Sequence, residues 1–187
     1  MLTRRFRARE VALQLLFQKD QNPNPVPRNV IEKFAHDRLN HDPELAAYCL
    51  GLYDGTLRHQ AEIDPKLVAT AENWRLTRMT PVDRNVLRLG AYELLFDPLG
   101  PPIEVAINEA IELAQRYGSK DSGGFVNGIL DKLAKARTGS NAERGTDQAR
   151  NAERGTRNGE PEPGNAEPEA RSEEVASNPA PITPPGP

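Results

Sequence analysis

Cysteine is nearly missing from this chain: Cys49 is the single one among 187 residues. That excludes an intramolecular disulfide and any zinc site built on several thiolates. Cys49 stands beside Ala47, Leu50 and Leu52, the setting of a small buried hydrophobe. No apolar run approaches the roughly 18 residues of a membrane span, and the start M-L-T-R-R-F-R lacks the apolar stretch of a secretory signal. A soluble, cytoplasmic protein is expected. Also missing are a phosphate-binding glycine loop with its Lys and Ser or Thr, a dinucleotide fingerprint, a Gly-x-Ser-x-Gly elbow and a His-Glu-x-x-His pair. His36 and His41 have no carboxylates at helical ligand spacing, so no metal is expected. The expectation is a protein that is not an enzyme and needs no cofactor.

An excess of one charge is lacking too. Residues 1–137 carry 19 Lys plus Arg against 18 Asp plus Glu, while residues 138–187 carry 5 against 9. A near-neutral body excludes a broad basic field for coating nucleic acid. The local exception is Arg4, Arg5, Arg7 and Arg9, which come before any acid. From Thr138 onward the large apolar residues fall to Val175 and Ile182, and the hexamer N-A-E-R-G-T occurs at Asn141 and again at Asn151. Such a segment cannot bury enough surface to offset its ordering entropy. The expected organisation is a folded domain over 1–137 and a disordered, acidic, low-complexity tail over 138–187.

What is present is helical periodicity. No strand-like alternation or Asn-Gly hairpin interrupts it. Thr3 can cap a first helix to about Lys19, with Ala8, Val11, Ala12, Leu15 and Leu16 as a core stripe and Phe6, Leu13 and Phe17 beside it. Arg7, Gln14 and Gln18 run along its polar margin. A second helix spans about Asn29 to Leu39. Asp42 with Pro43 starts a third, which carries Leu45, Cys49, Leu52, Thr56 and Ile63 on one face. Asp64 with Pro65 repeats that signal for a short helix to about Trp74, which closes the core. Thr80, Pro81 and Asp83 open a helix to about Phe96, with Arg84, Asn85, Arg88 and Tyr92 on its polar side. Glu93 falls on the apolar side and requires a structural partner, an Arg or a helix terminus.

The stretch Pro102 to Lys135 then holds two amphipathic helices. Ile103, Ala106, Ile107, Ala110, Ile111, Leu113, Ala114 and Tyr117 fall in an arc of about 160° at 100° per residue. Glu112 and Arg116 read as a surface pair on the other side. Gly118 suits a left-handed helix end, and Asp121 or Ser122 can cap the last helix. Gly123 and Gly124 let chain or ligand approach closely. The sum is an all-α domain of six or seven helices.

An Arg-rich helix start with a flanking aromatic can hold phosphate and stack on a base. It can equally be a solvated cationic end with Phe17 in the core. A resemblance bears on the choice. R-R-F-R-A-R-E-V-A-L-Q-L-L-F, P-V-D-R-N-V-L-R-L-G-A-Y-E-L, and V-A-I-N-E-A-I-E-L-A-Q-R-Y-G followed by D-S-G-G-F-V-N-G-I-L-D-K resemble, in this order, the bacterial transcription antitermination factor NusB family. The likeness runs from about Arg4 to Lys135. It implies the NusB fold, two packed helical subbundles, and a factor that pairs with the ribosomal protein NusE and binds the boxA element of nascent RNA. With other Nus factors it would help RNA polymerase pass terminators, notably in ribosomal RNA operons. On this resemblance Arg4, Arg5, Arg7 and Arg9 meet phosphates, Gln14 and Phe17 border the bases, and Lys120, Asp121, Ser122, Phe125 and Asn127 form the far side of the RNA site. Asp83 and Arg84, with Arg88 nearby, match the NusE-docking region. Self-association of the free chain stays open. So do two other readings: a stand-alone domain of the kind that precedes some RNA methyltransferases, and a helical scaffold without RNA binding.

Overall fold

The turn before the third helix shows how local chemistry sets the frame. Asp42 has extended backbone, and its Oδ1 accepts the N–H groups of Glu44 and Leu45 at 3.1 Å each. Pro43 occupies the first helical position, where no N–H is needed. This cap opens α3. The computed structural model describes residues 4–22, 24–71 and 76–137. The expected Thr3 cap, the placing of Trp74 and the acidic tail from Thr138 lie outside the described residues.

Among the described residues there are seven α-helices and no strand: α1 (Arg4–Gln21), α2 (Arg28–Arg38), α3 (Pro43–Arg58), α4 (Gln60–Thr70), α5 (Pro81–Leu95), α6 (Ile103–Tyr117) and α7 (residues 122–137). A single 3₁₀ turn, Leu76–Arg78, leads into α5. The first three helices pack on one another, α5 packs with α4 and α6, and the two groups meet where α1 and α3 lie against α5. That is the expected all-α arrangement of two subbundles.

α1 is buried around most of its circumference. Phe6, Ala8, Val11, Ala12, Leu13, Leu15 and Leu16 are all in the core, each large one contributing about 1.5–3 kcal/mol of transfer free energy. The strip left open carries Arg7 and Gln18, with half-buried Gln14 between them and exposed Phe17 beside it. α5 is enclosed more fully still. Its expected polar side is inside: Asp83, Asn85 and Arg88 are buried along with Val86, Leu87, Leu89 and Leu94. Packed against α1, α3, α4 and α6, this helix has most of its polar groups paired within the fold, the exception being Asp83 Oδ1, which is buried without a hydrogen-bond partner among the described residues.

Two expected boundaries differ. α3 ends at Arg58, and α4 starts at Gln60 rather than at Asp64. Pro65 therefore lies inside α4, on its exposed side beside exposed Ala61, whose carbonyl the ring deprives of a donor. Asp64 does not cap; it binds Arg88. At the end of α6, Gly118 has φ −94° and ψ −161°, an extended conformation instead of the left-handed one. Glycine is required there for space: a Cβ would stand 2.5 Å from Ser122 Oγ and 2.7 Å from the Ala114 carbonyl oxygen.

Candidate nucleic-acid interface

Glu10 joins the open strip of α1 to the end of α6. It is only 1% exposed and accepts hydrogen bonds from Arg7 at 3.0 Å and from the Tyr117 hydroxyl at 2.8 Å, with Arg116 on the same carboxylate. Burial pushes this carboxyl up, but the bonds from Tyr117, Arg7 and Arg116 outweigh it and hold the group below its ordinary range. Arg116 thus belongs to a tie across the fold, with its guanidinium 5.6 Å over the Phe6 ring, and the expected surface pair with Glu112 gives way to it.

Around this tie lie three hollows. The first, of about 250 Å³, is lined by Leu13, Gln14, Phe17, Val82 and Tyr117. Its walls are mainly apolar, and Phe17 and Tyr117 are each 39% exposed there, giving a base two aromatic edges to meet. The second, of about 380 Å³, is lined by residues that follow those of the first in the chain, Asp83 after Val82 and Ser119 two positions after Tyr117. Arg78, Thr80, Asp83, Asp121, Ser122 and Phe125 line it. The third, of about 640 Å³, lies on the other side of Glu10, where Arg4 and Arg7 reach it.

The bend that builds the second hollow is held by its own hydroxyls. Ser122, 2% exposed, accepts the Ser119 N–H at 2.8 Å, with the Ser119 hydroxyl 3.0 Å away. The Phe125 N–H is bonded to the Asp121 carbonyl at 3.1 Å. Gly123 is buried where a Cβ would press on Gln115 Cγ at 2.7 Å, whereas Gly124 faces open space. One glycine admits the neighbouring helix and the other leaves room outside.

A model of the NusB family matches residues 6–135. The chain belongs to the NusB family. It is 42% identical over 137 residues to the transcription antitermination protein NusB of Bdellovibrio bacteriovorus, covering 72% of this chain and 98% of that protein. The NusB of Anaeromyxobacter dehalogenans is 45% identical over 134 residues, covering 72% and 92%. Among solved structures, Thermotoga maritima NusB, described as T. maritima NusB, aligns with a TM-score of 0.60 at 40% identity, over 72% of this chain and 93% of the other. A structure described as the antitermination factors NusB and NusE in complex with dsRNA aligns with a TM-score of 0.64 at 27% identity, over 73% and 99%.

In this NusB-family chain the expected site residues divide. Arg4 and Arg7 line the third hollow, Gln14 and Phe17 the first, and Asp121, Ser122 and Phe125 the second, with exposed Lys120 in the bend beside Asp121. Arg9 does not join them. It is 2% exposed, gripping Glu93 at 2.7–3.1 Å and Glu109 at 3.0 Å, so its charge is spent inside. It is the Arg partner that Glu93 required. Arg5 is exposed but lies 5.3 Å over the Tyr48 ring, about 160° around α1 from Arg7. Asn127 is exposed and does not line the hollow, being about 160° around α7 from Phe125.

Of the expected NusE-docking residues, Arg88 is buried on Asp64 at 2.7 and 2.8 Å, with Asp20 at 3.4 Å. Arg84 binds Asp20 and the Leu76 and Met79 carbonyls, fixing the turn before α5. Asp83 falls in the second hollow beside Ser122 and Phe125. Tyr117, Arg116 and Glu10 went unread as site residues. Tyr117 closed an apolar arc and Glu10 ended a basic run, and only the packing of α1 against α6 makes them neighbours.

Proposed function

We propose that this chain is a transcription antitermination factor that binds boxA-type single-stranded RNA together with NusE, in the cytoplasm, as part of the polymerase complex with other Nus factors that sustains transcription of ribosomal RNA operons. It acts by binding and not by catalysis. The observation that supports the reading is a pair of hollows whose linings are neighbours in the chain: Gln14 and Phe17 of α1 line one with Val82 and Tyr117, and Asp121, Ser122 and Phe125 line the other with Asp83, the residue after Val82. Stacking surfaces and amide or carboxylate groups at base height, with Arg4 and Arg7 toward one end and Arg78 and Lys120 toward the other, suit an unpaired strand better than a duplex, whose bases are already stacked. The NusB relatives supply the partner, since one solved relative is described as NusB and NusE in complex with dsRNA.

In this reading Arg4, Arg7 and Lys120 take phosphates, while Phe17 and Phe125 stack. Asp83 remains the NusE-side candidate at the groove's edge, and Arg84 and Arg88 serve it by holding α5 in place. The test is a gel shift with a boxA-like RNA at low salt, with and without NusE. Binding that strengthens when NusE is added is expected; absence of a shift in both samples would leave only a helical scaffold. Incubation with ribosomal RNA and a radiolabelled methyl donor should transfer no label.

A further inference from the structure

The 640 Å³ hollow reaches beyond every residue assigned above. Besides Arg4, Arg7 and Arg116 it is lined by Arg38, Leu39, Asn40 and Asp42, from the end of α2 and the α2–α3 turn. Four guanidiniums there face two carboxylates, Glu10 and Asp42. Both acids are already engaged: Glu10 by Arg7, Arg116 and Tyr117, and Asp42 by Arg4 and two backbone N–H groups of α3. Arg38 is left over. It is exposed, has no ion pair among the described residues, and is steadied by lying 5.1 Å over the Phe34 ring. Beside it, Asn40 and His41 both hold left-handed backbone, φ 55° and 57°. Non-glycine residues pay about 1–2 kcal/mol each for that conformation, and Asn40 thereby borders the hollow.

We propose that this hollow is a phosphodiester subsite that extends the RNA groove past α1 to the α2–α3 turn, with Arg38 as the charge contact and the Asn40 amide as a second donor. The proposal rests on the RNA-binding reading above. RNA backbone is favoured as occupant because the two hollows share a wall: Glu10 lines this one, and Tyr117, which is bonded to Glu10, lines the one beside Phe17. A strand stacked on Phe17 that runs back along α1 reaches Arg7 after about 15 Å, a few nucleotides on, where Arg38 lines the same hollow as Arg7. A phosphodiester also matches the local excess of charge in a body that is otherwise nearly neutral.

The test is fluorescence anisotropy of the full-length chain with a labelled single-stranded boxA-like RNA of about 12 nucleotides, titrated from about 50 to about 300 mM potassium chloride. Arg38→Ala should weaken binding about fivefold at low salt and reduce the slope of log affinity against log salt by about 0.7. Arg38→Lys should keep the slope. Asn40→Gly, which preserves the turn and removes only the amide, should weaken binding about threefold with no loss of thermal stability. If both variants bind like the parent while Phe125→Ala binds less, the groove stands and the subsite is refuted. If Arg38→Ala weakens only the pairing with NusE, the hollow belongs to the protein partner and the proposal is wrong. If the parent binds no RNA at any salt, the groove itself is wrong and the subsite goes with it.

Discussion

Arg9 is enclosed between Glu93 and Glu109, and Tyr48 donates its hydroxyl to the same Glu93 at 3.1 Å. Burial works against the Arg9 charge, yet the Glu93 hydrogen bonds and the surrounding acids outweigh it and raise its pKa above the ordinary value. Removing the cation leaves a buried carboxylate without its partner, a loss of about 3–5 kcal/mol. Arg9→Ala should therefore lower urea stability by that amount, while exposed Arg7→Ala should cost less than about 1 kcal/mol and act on RNA affinity instead. Equal losses from the two substitutions would contradict this assignment. Phe125→Ala belongs with Arg7: the ring is half-buried, so the variant should keep its melting curve by circular dichroism and lose RNA affinity. Both ends of the Arg9–Glu93 pair were legible as anomalies, a basic run on one side and a misplaced acid on the other. That they meet across 84 positions is set by the packing of α1 on α5, which no local pattern encodes.

At the scale of helices, periodicity located the starts at Asp42 and Thr80 because capping chemistry is local. It misplaced the start of α4, since a proline after an acid usually marks a beginning and here lies within the helix. It also gave α5 a solvent face, because a helix enclosed on all sides can carry charged residues if each finds a partner, as Arg88 finds Asp64 and Asp20. The two sides of the candidate groove could be named from sequence; the fastening between them could not. That fastening is the Glu10 carboxylate, and its behaviour with pH follows from the direction of its shift. A carboxyl held below its unfolded value contributes stability that is complete above the unfolded pKa and is lost as pH falls through the folded one. With Glu10 below its ordinary 4.5, the contribution is fully present at pH 6 and fades as pH falls below that ordinary value. Glu109, raised by burial and by the nearby acids Glu93 and Glu112 despite Arg9, has the opposite sign and offsets part of the loss. The difference in urea midpoint between the parent and Glu10→Gln should thus be large at neutral pH and shrink toward acid. A difference that is constant over the whole range would show that Glu10 is not the titrating tie.

For the molecule as a whole, the family match ends at residue 135, close to the end of α7, and residues 138–187 add 5 basic and 9 acidic side chains beyond it. Those charges act on an RNA partner by repulsion and on a basic partner by attraction, and at physiological salt both effects die away within about 8 Å. The residues that line the proposed groove and its proposed extension all lie within 4–125, on α1, α5, α6, α7 and the turns between them, with Arg38, Leu39, Asn40, Asp42 and Leu45 at the extension. Ending the chain after Arg137 should leave NusE pairing intact and change RNA affinity less than about threefold at low salt, in the direction of tighter binding because net negative charge is removed. The difference should vanish as salt approaches about 300 mM, where interactions between exposed charges are largely screened. Salt-titrated anisotropy on the full and shortened chains makes the comparison. A tightening that persists at high salt would mean the acidic segment occupies the groove through specific contacts, and the arginines lining the hollows would then be the place to look for them.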